Sequence, residues 1–203
     1  YTVAYSTRYG VLTDLHYRYN YVMAFDEPWY ISEMKLTYSV PDEMYDAAFE
    51  DVCTKIDAIL AKVDPDWSAP EKALFLHDYF CIQFNYDYER LYDPSLGSEC
   101  YTAYGMLING TAVCHGYAWL YNILLSDLGI ESYFVSSAEN NHAWNILKLD
   151  GCYYHVDCTY DDSAQRSTSQ IGLAGQVDHA SFLKAHAAMI SRGHKCSQYD
   201  WVL

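Results

Sequence analysis

Cys114, His142 and Asp157 are the residues whose types and spacing permit chemistry. Cys114 follows the tight turn Asn109-Gly110-Thr111 and opens an apolar stretch, Trp119 to Leu128, that reads as a buried helix ended by Gly129. The first N–H groups of a helix have no intrahelical partner, and the dipole there favours negative charge. Both effects favour a thiolate over a thiol, so Cys114 is a candidate nucleophile. Gly116 removes a side chain near the sulfur, which would let a substrate backbone approach. An inert buried cysteine is the plain alternative for Cys114 taken alone. His115, its neighbour, is expected to point away from it.

His142 and Asp157 gain meaning from the turn between them. Asp150-Gly151 is a strong two-residue hairpin signal. If these two residues form the turn, Leu149 faces Cys152, Trp144 faces Asp157 and His142 faces Thr159. Strand side chains alternate, so His142 and Trp144 share a face. His142 and Asp157 then become diagonal neighbours, roughly 7–8 Å apart between backbones and within side-chain reach. A carboxylate there can fix the tautomer of an imidazole and stabilise its protonated form. Cysteine, histidine and carboxylate together make a nucleophile, a base and an orienter. Trp144 is placed to shield the His–Asp bond from water.

The elements that must position these groups are legible in outline. The first 40 residues, rich in Tyr, Val, Thr and Ile, read as two or three strands with a turn at Asp26-Glu27-Pro28. Pro41-Asp42-Glu43 opens a helix in which Phe49, Val52, Ile56, Ile59, Leu60 and Val63 recur at helical spacing. A second helix starts near Ser68, with Glu71 as capping-box partner, and runs through Cys81. A short helix lies around Tyr101–Leu107. Strands are expected at Glu131–Ser136, His142–Leu149 and Cys152–Asp157. A polar loop from Ser163 and a helix over Ala180–Ile190 complete the chain.

Composition narrows the function classes. Hydrophobic residues make up 51% of the 203 residues, enough for a real core. The net charge of −15 argues against nucleic acid, which needs clustered Lys and Arg. No apolar run is long enough to insert in a membrane. Twenty-two tyrosines suit half-buried strands and polymer-binding clefts. The chain opens on Tyr1, consistent with a removed export signal, and an extracellular or cell-surface location is expected. Seven cysteines guarantee one thiol outside any internal pairing. Cys53 and Cys81 sit in apolar runs and read as free buried thiols. No metal site is expected: Cys152, His155 and Cys158 alternate faces on a strand, and His179, His186 and His194 are too loosely spaced.

Three segments carry a family resemblance. Val113-Cys114-His115-Gly116-Tyr117-Ala118, His142-Ala143-Trp144-Asn145 and Tyr154-His155-Val156-Asp157-Cys158-Thr159-Tyr160-Asp161 resemble, in order, the catalytic motifs of the transglutaminase-like superfamily. Glu71-Lys72-Ala73, His77-Asp78-Tyr79, Tyr86-Asp87, Asp178-His179 and Phe182-Leu183 resemble its bacterial members. The resemblance covers roughly residues 40 to 195. It implies an α+β, papain-like fold in which the nucleophile helix packs on an antiparallel sheet. Residues 1–66 would lead into a catalytic core at 67–203, the two forming one compact unit. It also implies acyl transfer through a thioester on a peptide or protein substrate, cell-wall peptide among the candidates, with no cofactor. The oxyanion would be held by the Cys114 N–H and a second donor, for which Tyr104 and Gln83 are candidates. Hydrolysis is expected over cross-linking, because the chain lacks room for the accessory domains of animal cross-linking enzymes. A non-catalytic cell-surface binding module on the same fold is the other alternative.

Overall fold

The computed structural model describes Arg8, the backbone of residues 13–22 and 30–38, and residues 40–162 and 177–195, with Pro94 as backbone. Strands β1 (Thr13–Val22) and β2 (Tyr30–Tyr38) form an antiparallel pair with Tyr17 opposite Leu36. The turn expected at Asp26-Glu27-Pro28, the loop from Ser163 and Cys196 lie outside the described residues. Among the described residues, no helix is long and apolar enough to cross a membrane.

Helix α1 (Tyr45–Leu60) follows a 3-10 turn at Asp42–Met44 and buries Val52, Ile56 and Ile59, one side of the expected pattern. Helix α2 (Ala69–Gln83) starts where its capping signal predicts. A carboxylate oxygen of Glu71 accepts from the Ser68 N–H at 2.8 Å and from its hydroxyl at 2.6 Å. Two short strands, β3 (Asn85–Tyr86) and β4 (Thr111–Ala112), pair in parallel. Between them lie α3 (Tyr88–Tyr92) and α4 (Ala103–Asn109). The Thr102 hydroxyl caps α4 by accepting from the Gly105 N–H, and Gly110 ends it at φ +70°.

Helix α5 (Cys114–Asp127) is buried along most of its length, including Tyr117, Tyr121, Ile123 and Leu124. It lies against an antiparallel sheet of β5 (Ser132–Ser137), β6 (His142–Leu149) and β7 (Cys152–Val156), in that order. The Asn145 amide donates to the Ala118 carbonyl at 2.9 Å and ties sheet to helix. The main core joins α1, α2, α4 and α5 to the inner face of this sheet. The chain is thus α+β, with the helix that begins at Cys114 packed on an antiparallel sheet.

The hairpin has the expected register. Leu149 pairs with Cys152 and Asn145 with Val156, and Asp150 and Gly151 both adopt positive φ, +51° and +78°. The ladder stops one pair earlier than expected. Asp157 leaves the strand still extended and becomes the N-cap of a short helix, α6 (Cys158–Asp161), so Thr159 does not face His142. The helix expected over Ala180–Ile190 is also shorter, spanning His186–Ser191 as α7. Residues 180–185 cannot be helical because their backbone groups are committed elsewhere. The Ser181 N–H donates to the Asp161 carboxylate, the Ser181 carbonyl accepts from Asp157, and Lys184 pairs with His155.

Candidate active site

Cys114 opens α5, with Val113 as an N-cap that offers no side-chain acceptor. The Val113 N–H is held by the Cys100 carbonyl at 2.9 Å, which anchors the turn into the helix. A Cβ on Gly116 would stand 2.7 Å from the Ala112 Cβ and 3.0 Å from the carbonyl oxygens of Cys100 and Thr102. Gly116 therefore lets this anchoring turn press against the helix. That differs from the expected role of opening the sulfur to a substrate.

His142 begins β6, and Asp157 ends β7. The His142 Nε2 lies 2.6 Å from an Asp157 carboxylate oxygen, leaving the other ring nitrogen free for the Cys114 thiol, and the two groups shift each other's protonation. Asp157 is completely buried. Its Oδ1 accepts from the Thr159 and Tyr160 N–H groups, both at 3.0 Å, and its Oδ2 takes His142. Trp144 stacks on His142 at 5.7 Å between ring centroids, and its indole N–H donates to the His155 ring. Tyr160 lies against the His142 ring at 4.6 Å.

Electrostatics separate Cys114 from the other thiols. Burial pushes the thiols of Cys81 and Cys158 up, and takes that of Cys100 up to about 11. Burial pushes Cys114 the same way, but hydrogen bonds to His115 and His142, and their charge, outweigh it and bring the thiol down to about 6. Burial opposes the charge on His142, yet Asp157 and Cys114 raise the imidazole to about 10. Burial alone would raise the Asp157 carboxyl; the charge and hydrogen bonds of His142 and His194 instead hold it well below the usual range. The six described cysteines are free thiols, Cys81 buried and Cys53 half-buried.

Three residues at this site escaped the sequence. Tyr86 packs against the cluster that holds Cys114, and burial followed by the nearby sulfur raises its pKa. Gln83 is exposed at the end of α2, and Tyr104 packs on the main core. The residue pair Tyr86-Asp87 was visible as a motif, but nothing in its spacing pointed at Cys114. His115 does not point away: its Nδ1 lies 3.6 Å from the Cys114 sulfur, and its ring rests on Tyr101 and Phe134. No preceding helical turn occupies that space at a helix start, so the ring can fold back over its neighbour.

His194 is the third. Its Nε2 lies 2.7 Å from the same Asp157 oxygen that takes His142. Asn140, in the turn before β6, clamps the segment from both sides. Its side-chain Nδ2 donates to the Gly193 carbonyl at 2.7 Å, and its side-chain Oδ1 accepts from the Lys195 N–H at 2.6 Å. Thirty-seven residues separate His194 from Asp157, so no motif could join them.

A cysteine at a helix start, facing an imidazole and carboxylate carried by an adjoining sheet, defines a papain-like cysteine-enzyme architecture. The transglutaminase-like domain family model matches residues 53–161, just over half of the chain, and the chain belongs to that family. No curated protein matches it. Among solved structures, one described as a TGase is 17% identical with a TM-score of 0.46, covering 70% of this chain and 38% of that one. A candidate cysteine protease from Cytophaga hutchinsonii is 18% identical with a TM-score of 0.37, covering 58% of this chain and 37% of that one. The chain spans well under half the length of either protein.

Proposed function

We propose that this chain is a cysteine-dependent acyltransferase that acts on peptide or amide substrates, with water as its ordinary acceptor. The observation that carries this reading is the His142–Asp157 hydrogen bond beside Cys114 at a helix start, with the thiol lowered and the imidazole raised. Cys114 acts as a thiolate beside a protonated His142. The sulfur bonds to the substrate carbonyl carbon, and the π electrons move to the oxygen. The Cys114 N–H and the Tyr86 hydroxyl are the donors placed to hold that oxyanion. The carbonyl re-forms, the C–N bond breaks, and His142 passes its proton to the departing amine. Neutral His142 then takes a proton from water as the water attacks the thioester. The C–S bond breaks, releasing the acid and restoring the ion pair.

Hydrolysis is favoured over amine transfer because water needs no built acceptor subsite. An exported or cell-surface setting and a peptide or protein substrate, cell-wall peptide included, belong to the same reading. Their support is the tyrosine-rich, acidic composition.

The test is turnover of a peptide library, scored for both cleavage and amine incorporation, alongside iodoacetamide labelling across pH. Cys114→Ala is expected to abolish turnover, and Cys114 is expected to label well below the ordinary thiol range of ~8.5. Ordinary reactivity at Cys114, with turnover intact in Cys114→Ala, would sink the proposal.

A further inference from the structure

A second cluster of ligating groups lies away from Cys114, where α2 meets the segment that follows residue 176. The His77 Nδ1 is 2.9 Å from Asp78 Oδ1, and the His179 Nε2 is 2.8 Å from the same oxygen. All three atoms lie within 4.8 Å of one another. Two imidazole nitrogens and one carboxylate oxygen, converging from two segments, are a common donor set for a divalent late transition metal.

The surroundings of His77 point the same way. The ring is fully buried and lies between two carboxylates. Its Nε2 faces Asp161 Oδ2 at 3.3 Å without completing a hydrogen bond. A neutral imidazole has one N–H and one lone pair. The hydrogen bond the ring completes is from Nδ1 to Asp78, which leaves the Nε2 lone pair facing the lone pairs of Asp161. A cation that replaces the Nδ1 proton, held by Nδ1 and Oδ1, moves the N–H to Nε2, where it can donate to Asp161. A carboxylate behind the far nitrogen of a metal-bound histidine is the usual outer-shell arrangement, and it fixes the tautomer. Asp161 is itself oriented by the Ser181 N–H, at 2.9 and 2.8 Å from its two oxygens. Phe182 covers the His77 ring at 5.0 Å between centroids. His179 and Asp78 remain open to solvent, 44% and 35% exposed in their side chains, so an ion can enter and a water can complete the set.

We infer that His77, Asp78 and His179 bind one divalent transition-metal ion, with zinc as the natural occupant, and that the ion clips α2 to the 177–185 segment. The Oδ1 contacts of 2.8 and 2.9 Å are shorter than the ~3.4 Å separation of ligand atoms around tetrahedral zinc, given bonds of ~2.0–2.1 Å. Binding therefore asks the side chains to open by roughly half an ångström. The clip bears on the active site through the backbone, because the same segment supplies the Ser181 carbonyl that accepts from Asp157. The buried set His142, Asp157 and His194 also has ligating spacing, but there both imidazoles already converge on one carboxylate oxygen and His142 is turned to the thiol. The 101 residues between Asp78 and His179 hide the first cluster from any spacing motif.

The probes are zinc and cobalt(II), added to the full chain after chelator treatment. One equivalent of metal is expected to bind and raise the melting temperature by several degrees. Cobalt is expected to give visible absorption bands without a thiolate charge-transfer band. Binding should be unchanged in Cys114→Ala and weakened at least tenfold in His179→Ala. His179→Gln separates a metal ligand from a mere hydrogen bond, because its amide can still donate to Asp78. Loss of metal affinity in a folded His179→Gln, at undiminished metal-free stability, supports the site. Failure to bind either ion, affinity unmoved by both His179 substitutions, or a thiolate band in the cobalt spectrum would each overturn it. None of these readouts depends on Cys114 being a nucleophile.

Discussion

Single side chains set the protonation window of the Cys114–His142 pair. With the thiol at about 6 and the imidazole at about 10, the thiolate forms above the first value and the His142 proton is lost above the second. Turnover should therefore rise through about pH 6 and fall through about pH 10, measured as kcat/KM across pH. His115 gives the largest of the effects that lower the thiol. His115→Ala should move the acid limb to higher pH and leave the alkaline limb in place. His194 works through Asp157 and so is a positioning residue. Loss of its hydrogen bond in His194→Ala should lower kcat by about tenfold, in line with ~1.4 kcal/mol, with little change in KM. His194→Gln, whose amide can reach the same oxygen, should restore most of that loss. At this scale the sequence exposed Cys114, His142 and Asp157 because motif order and one hairpin define them. Tyr86 and His194 depend on how distant segments fold back, which no local pattern encodes.

Elements carry the site through their ends. Cys114 begins a helix, His142 begins a strand, and Asp157 joins a strand to a helix. The Asp150-Gly151 turn made the His142–Asp157 approach readable, since a two-residue turn fixes pairing and pairing fixes faces. The expected helix over Ala180–Ile190 is shorter for the opposite reason: tertiary hydrogen bonds claim the backbone of its first half. Gly116 was legible as important, but the close packing it permits was not. Gly116→Ala must push the Cys100–Thr102 turn off α5, and it should destabilise the fold by about 1–3 kcal/mol in urea unfolding. A role confined to substrate access would leave the unfolding midpoint unchanged and alter KM alone.

The whole molecule is larger than the region matched to the family. That region stops at residue 161, while residues 177–195 supply the Ser181 carbonyl to the Asp157 N–H and His194 to its carboxylate. A chain ending at Asp162 would leave a buried carboxylate short of a partner, which is costly. Such a chain should keep most of its helical circular dichroism but label at Cys114 with iodoacetamide at least tenfold more slowly at pH 7. Equal labelling would show that the later segment is ancillary. Arg8 belongs to the same body, pairing with Asp57 of α1 at 2.7 Å and with Asp127 of α5 at 2.6 Å.

Asp157 serves two masters: it orients an imidazole, and it starts α6 by accepting two backbone N–H groups. Cys114 contributes one sulfur to a small cluster with Ala118 and Ala143. The two residues are therefore unequally replaceable. A lineage that abandoned catalysis could discard the sulfur at little structural cost, but would be held to the carboxylate by the fold itself. When descendants of such a chain are compared, survival of the aspartate says little about activity, whereas survival of the cysteine says a great deal.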